Sequence, residues 1–303
     1  MTLPFKKVFI TGSAGFIGSR LGEMLAAEGV IVRGYDIKND AQDDVRDGER
    51  LARAIKEFAP DGVVHLAAMS RVEEGFLRPR ECVATNMGGI TNALDAVRAL
   101  PERARPWFVF SSSREVFGEA KRLPVTEKSP RTPMNIYGVT KFAGEMLAEH
   151  YAHNYGLTTR VLRFSNAYTN VHDRLNRVVP KFILQALRGE PITVHGGNQI
   201  FDFVYIDDTI SGIIACLREV HGSSTSYNDF NLVTGKKTAI KNLVKHILAL
   251  TKSTSPMTLH AARQYDVAHF WGSPAKARKV LGWKAEYSIV EGLIKSIAAL
   301  RSS

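Results

Sequence analysis

Cysteine is nearly absent, with two residues in 303, Cys82 and Cys216. They stand far apart and in no metal-ligand spacing, which excludes a disulfide-stapled scaffold and a zinc site and predicts two buried free thiols. Long apolar runs are missing as well. None reaches the ~18 residues that a membrane-spanning helix needs. Residues 1–7 pass straight into a strand-like run without a secretory apolar core. There is no internal repeat, and no disordered tail is expected. The basic residues are scattered, with no helix-turn-helix, zinc-finger or aromatic RNA-binding pattern. Neither a membrane nor a nucleic acid is expected as partner, and the expected setting is the cytoplasm.

What is present suits a folded globular protein. Hydrophobic residues make up 45% and charged residues 23%, enough for one large or two modest domains with a real core. The formal net charge of +10 raises the local concentration of anionic partners, a diphosphate among them.

An apolar run at 8–10 leads directly into Thr11-Gly12-Ser13-Ala14-Gly15-Phe16-Ile17-Gly18. A helical pattern follows over 19–28 and ends at Gly29. Strands are expected at 30–35, 62–66, 107–110 and 159–164, and helices at 51–58, 85–100 and 137–155. The strands are nearly continuous apolar runs, as in a parallel sheet covered on both faces. After 165 the rhythm loosens. Helices are expected at 180–188, 207–220, 239–250, 274–281 and 289–300, strands at 203–206 and 230–232, and a loop at 221–226. The expected fold is α/β: a Rossmann doubly wound parallel sheet over 1–165, to which segments near 200–232 return. A smaller C-terminal α/β substrate-binding lid is expected over 166–303.

The glycine run sits between a buried strand and a helix. Gly12 permits a tight turn, Gly15 leaves room for a dinucleotide, and Gly18 lets the helix pack close to the strand. A pyrophosphate there would meet unpaired N–H groups at the positive end of the helix dipole. Two residues rather than one separate the first glycines, unlike the commonest fingerprint. Asp36 closes the second strand, where a carboxylate accepts from both ribose hydroxyls of NAD and repels the 2′-phosphate of NADP. Arg33 and Lys38 flank it, and NAD is the favoured cofactor. Asp44 and Val45 are candidates to touch adenine. Ala67 and Ala68 would let a cofactor lie close to the backbone.

Tyr137 and Lys141 stand four apart at the start of a helix, hence on one face. A free tyrosine, with pKa ~10, is a poor base at neutral pH. A nearby ammonium and a positive nicotinamide are expected to lower it. Ser113 follows the strand at 107–110, at the carboxyl edge of the sheet where ligands bind. Its hydroxyl would share the substrate oxygen with Tyr137.

These motifs occur in order: Thr11-Gly12-xx-Gly15-xx-Gly18, Asp36, His65-Leu66-Ala67-Ala68, Asn86, Ser111-Ser112-Ser113, Tyr137-xxx-Lys141 and Arg163-xx-Asn166. With Phe203-Val204-Tyr205-Ile206-Asp207-Asp208 and Lys279-Val280-Leu281-Gly282-Trp283 they run through nearly the whole chain. The chain resembles the extended short-chain dehydrogenase/reductase family of NAD-dependent sugar-nucleotide epimerases and dehydratases, in its UDP-glucose 4-epimerase-like branch. The resemblance implies Tyr137 as catalytic base, Ser113 as its partner, and Lys141 as tuner of the tyrosine and holder of the cofactor ribose. It implies NAD contacts from Gly12, Gly15, Phe16, Ile17, Gly18, Leu66, Asn86 and Ser111. It places Asn166 and Arg263 on the substrate diphosphate and Glu115 beside the sugar. It implies a resident NAD, a nucleotide-sugar substrate and a homodimer built on the helices near 85–100 and 137–155. No metal is expected.

Three positions depart from the pattern. Phe201 replaces the usual arginine before Asp202, so one diphosphate contact is either missing or supplied by Arg177 or Lys181. Thr169 replaces a glycine after Tyr168. Phe117 replaces the tyrosine of Val-Tyr-Gly. In the related 4,6-dehydratases an acid and a glutamate follow the catalytic hydroxyl residue. Here Arg114 and Glu115 follow Ser113, and an arginine cannot donate the proton that elimination needs. Epimerisation, at C4 by what the resemblance implies, is therefore expected rather than dehydration. Ketoreduction and decarboxylation of a nucleotide sugar are the enzymatic alternatives. A dinucleotide-sensing or polyanion-binding protein is the non-enzymatic one.

Overall fold

The computed structural model describes residues 3–169, 173, 175–261 and 267–301. The first half runs β1 (Lys7–Thr11), α1 (Phe16–Ala27), β2 (Ile31–Tyr35), α2 (Gly48–Phe58), β3 (Gly62–His65), α3 (Val72–Leu77), α4 (Pro79–Val83), α5 (Gly89–Arg98), β4 (Trp107–Ser113), α6 (Ile136–Tyr155) and β5 (Thr159–Phe164). The second half runs β6 (Asn166–Tyr168), α7 (Val178–Leu187), β7 (Ile192–His195), β8 (Ile200–Phe201), β9 (Phe203–Tyr205), α8 (Ile206–His221), β10 (Tyr227–Leu232), β11 (Thr238–Ala239), α9 (Ile240–Thr251), β12 (Met257–His260), β13 (His269–Phe270), α10 (Ala275–Leu281) and α11 (Ile289–Arg301).

Six of these strands form the main sheet in the order β2-β1-β3-β4-β5-β10. All its pairs are parallel. The order reverses between β1 and β3, the place where doubly wound sheets open a crevice for ligands. Alternation along the strands feeds two cores. Val8, Ile10, Val64 and Val109 pack into one with α1, α8 and the C-terminal helices. Phe9, Val63, Phe108 and Phe110 pack into the other with α2, α5 and α6. Burial on both faces explains why β1, β3 and the first part of β4 read as apolar runs, whereas β5 also carries the buried Arg160 and Arg163.

Strand β10 begins at Tyr227, earlier than the expected 230, and becomes the edge strand beside β5. The helix expected at 85–100 starts instead at Pro79 and passes through a π-turn, Ala84–Gly88, before α5. The short pairs β6–β9, β7–β12 and β8 with β11 and β13 lie outside the main sheet. Of these only β9 matches an expected strand. Cys82 and Cys216 are both buried free thiols. Among the described residues no helix is long and apolar enough to cross a membrane.

Candidate active site

The carboxyl ends of β1, β3, β4 and β5 open into one cleft of about 940 Å³. Its floor at one end is the glycine turn. Gly12 has φ +71°, and its N–H donates to the Tyr35 carbonyl at 2.9 Å. A Cβ there would stand 2.6 Å from the Ala67 nitrogen, so β1 and β3 approach this closely only because a glycine separates them. Gly15 is the N-cap of α1 and has no side-chain cap. The first N–H groups of that helix are thus left for a ligand. Phe16, Ile17 and Gly18 continue the wall.

Asp36 lines the cleft just beyond β2. One of its oxygens accepts from the Ala14 N–H at 3.0 Å and the other from the Lys38 N–H at 2.9 Å. The carboxylate is thus fixed by the two segments that would flank a ribose. Asp44 and Val45 line the same end. The Asp44 carboxyl is held below its ordinary range by hydrogen bonds from the Arg46 guanidinium. Leu66, Ala67 and Ala68 form the opposite wall. These groups fit a dinucleotide with one acidic ribose contact.

Asn86 departs from the expected cofactor contact. It is buried in the π-turn, where its amide oxygen accepts from the Met69 N–H at 2.8 Å and its amide nitrogen donates to the Thr140 hydroxyl at 2.9 Å. Its polar atoms are taken up by the protein, and it works behind the cleft by tying Met69, at the wall, to α6.

The reactive end is built by β4 and α6. Ser111, Ser112 and Ser113 close β4 and all line the cleft. Asn135 caps α6: its side-chain oxygen accepts from the Gly138 N–H at 2.8 Å, while its amide donates to Glu115 Oε2 at 2.8 Å. That residue locks the start of α6, with Tyr137, onto the turn after Ser113. Sequence reasoning missed it, although an asparagine just before a helical run is a capping signal. Ser113 Oγ accepts from the Glu115 N–H at 3.2 Å.

The electrostatics reverse one expectation. Burial pushes the Tyr137 hydroxyl up to about 12, and hydrogen bonding with Ser113 only partly offsets it. Burial pulls Lys141 down to about 7. Its Nζ donates to the Ser111 carbonyl at 2.8 Å and lies 5.9 Å from the Tyr137 ring centre. Desolvation is the largest cause of both shifts. Lys141 and Tyr137 share a helix face, but the protein alone does not depress the tyrosine.

A second network stands behind this pair. Glu145, one turn beyond Lys141, accepts from Ser112 Oγ at 2.5 Å and pairs with Arg163 at 2.7 Å and Arg131 at 3.0 Å. Asp229 of β10 joins through Arg163 at 2.8 Å and Lys276 at 2.6 Å. Sequence reasoning missed this cluster too, since its members are scattered along the chain.

On the far side, Asn166 lines the cleft and accepts from Arg114 Nε at 3.2 Å. Asp202, fully buried, takes N–H groups of Thr234 and Gly235, and its carbonyl accepts from Ser165 Oγ at 2.6 Å. Burial raises its carboxyl to about 6. Arg177 and Lys181 line the cleft. Arg177 bonds Asp173 at 3.1 Å and the Ala167 carbonyl at 2.9 Å. Arg263 lies outside the described residues. Glu115 is buried, paired with Arg114 at 2.8 Å.

A family model described as GDP-mannose 4,6 dehydratase matches residues 9–296. A UDP-glucuronate 4-epimerase of Thermodesulfobacterium geofontis is 29% identical over 315 residues, 95% of this chain and 94% of that protein. The structure of a Thermotoga maritima UDP-glucose 4-epimerase with UDP-glucose superposes with TM-score 0.90 at 28% identity, covering 98% of this chain and 99% of that one. A Thermus thermophilus UDP-glucose 4-epimerase in complex with NAD gives TM-score 0.88 at 26% identity, covering 98% and 99%.

Proposed function

Because this chain belongs to the extended short-chain dehydrogenase/reductase family of NAD-dependent nucleotide-sugar epimerases and dehydratases, we propose that it epimerises a nucleotide-diphosphate sugar at C4. The observation that carries this reading is the turn after Ser113. Elimination of water needs an acid beside the sugar and a free base. Here the first place holds Arg114, and the glutamate that follows is ion-paired to it and hydrogen-bonded by Asn135.

NAD, which the glycine turn and the Asp36 carboxylate would hold, would supply a reversible hydride acceptor for the sugar carbon. Tyr137 takes the proton of the C4 hydroxyl and later gives it back. Ser113 steadies that same oxygen, and its hydrogen bond favours the phenolate. Lys141 is anchored through the Ser111 carbonyl, in place to meet a ribose. The first ends of α1 and the fixed carboxylate of Asp36 receive the dinucleotide. Asn166 and Arg177 face the substrate diphosphate, and residues 166–303, apart from the segments near 200–232 that return to the Rossmann half, mainly form the substrate half.

The test is turnover of UDP-, GDP-, dTDP- and CDP-sugars in D₂O, read by NMR and mass spectrometry. A product of unchanged mass, inverted at C4 and free of solvent deuterium on that carbon, is expected. Loss of water or CO₂ would replace the reading by dehydration or decarboxylation. The chain is further read as a homodimer through α5 and α6. Val139 and Met146, seven apart on α6, are 47% and 57% exposed, a stripe that a helix pairing would cover. A monomer by light scattering at micromolar concentration would refute that assembly.

A further inference from the structure

Arg114 has a place in the site that the epimerase reading leaves unexplained. It follows Ser113 directly, in the short turn Arg114–Phe117, and lines the same cleft as Ser113, Tyr137 and Asn166. Its side chain is 13% exposed. The guanidinium lies 4.6 Å from the Phe201 ring centre and 5.6 Å from that of Phe270. Nε donates to Asn166 Oδ1 and Nη2 meets Glu115 Oε1. Nη1 is buried and has no hydrogen-bond partner among the described residues.

An arginine stays charged at any working pH. Enclosed by aromatic rings, it keeps a strong field, and an unspent donor on it calls for an acceptor. Glu115 does not supply that acceptor to Nη1, because its other oxygen is turned to Asn135. The acceptor must come with the ligand. Its position follows from the neighbouring residue. Ser113 and Tyr137 converge on the oxygen of the reacting carbon, so the group that reaches Arg114 is a substituent near that carbon on the same ring. Among sugar substituents, a carboxylate matches a planar cation in both charge and shape.

We propose that the preferred substrate is a nucleotide-activated hexuronate whose carboxylate is bound by Arg114. The proposal rests on the epimerase reading above for the sugar's orientation. It makes Arg114 a specificity-determining residue, and it gives Phe201 a function as the ring on which the guanidinium rests.

The test compares UDP-glucuronate, UDP-glucose and UDP on the NAD-loaded wild type, R114Q and R114K, by calorimetry and by kcat/KM. The wild type is expected to favour UDP-glucuronate over UDP-glucose by about 10- to 100-fold, the loss typical of a missing charge-assisted hydrogen bond. R114Q should collapse that ratio, R114K should recover part of it, and UDP should bind all three within about twofold of each other. The UDP measurement also shows that the variants are folded. A wild type that handles UDP-glucose as well as UDP-glucuronate overturns the proposal and leaves the epimerase reading intact. So does an R114Q that loses UDP affinity as much as UDP-glucuronate affinity, which would give Arg114 a role at the diphosphate, directly or by orienting Asn166. Tight, Arg114-dependent binding of UDP-glucuronate without inversion at C4 would support the proposal while removing the epimerase reading.

Discussion

Gly12→Ala tests whether the cofactor turn is held by backbone contact between β1 and β3. Two costs add. The residue has φ +71°, a region that costs an L-residue about 1–2 kcal/mol. The new methyl would also stand 2.6 Å from the Ala67 nitrogen and 2.8 Å from the Ala67 Cα and the Leu66 carbonyl carbon. These are backbone atoms just beyond β3 and, unlike a side-chain tip, cannot swing aside, so overpacking adds about 1–3 kcal/mol. The total is about 2–5 kcal/mol. Gly29→Ala is the control: its φ is +82°, and nothing lies within 4 Å of the added carbon. It should cost only the backbone part, about 1–2 kcal/mol. Urea unfolding of both variants and the wild type measures the difference, and NAD titration measures its consequence. Gly12→Ala should lose both stability and NAD affinity, and Gly29→Ala only stability. Equal destabilisation by the two variants would refute the claim that close approach of β1 and β3 shapes the turn.

Tyr137→Phe, which keeps the ring and removes the hydroxyl, should lower kcat by about 10²–10⁴-fold, the usual worth of a general acid–base. A kcat within tenfold of the wild type would remove Tyr137 from that role. Lys141 titrates near 7 in the folded protein against an ordinary 10.5, so between those values the unfolded chain holds a proton that the folded one lacks. Wild-type stability relative to Lys141→Met should therefore be flat below pH ~7 and rise above it, by up to about 1.4 kcal/mol per pH unit. Chemical denaturation from pH 6 to 9 reads the slope, and a flat difference would show that Lys141 keeps its charge. Glu145→Leu leaves Arg163 and Arg131 without their shared buried counterion, which should cost about 3–5 kcal/mol. Thermal unfolding that shifts by no more than a surface substitution would show that Asp229 alone balances them.

Much of the Rossmann half was legible because its strands obey one simple rule. A strand buried on both faces is commonly an apolar run, and β1, β3 and β4 announce themselves that way. Residues such as Gly12, Asp36, Ser113 and Tyr137 are tied to strand or helix ends, so locating the elements located them. The second half was harder to read. Strands β7, β8, β11, β12 and β13 are short, pair outside the main sheet and carry mixed residues, and β12 is exposed along its length. Their pairing is set by tertiary contacts rather than by a local period. Asn86 shows the same limit within the first half. Its place in the chain suggested a cofactor contact. The π-turn that carries it turns its amide inward instead, onto Met69 and Thr140.

Spacing revealed where Tyr137 and Lys141 point but not what burial does to them. A separation of four residues on a helix puts two side chains on one face whatever surrounds them. The shift of a pKa depends on the surroundings, because the charge–charge attraction must exceed the cost of removing both groups from water. With both side chains buried, the tyrosine rises to about 12 and the lysine falls to about 7. Neither group then favours its charged form, and a phenolate at neutral pH needs help from outside the chain. The positive ring of NAD, if seated beside Tyr137 as proposed, would supply that help without adding a buried charge to the protein itself. Cofactor binding and activation of the proposed base would then be one event.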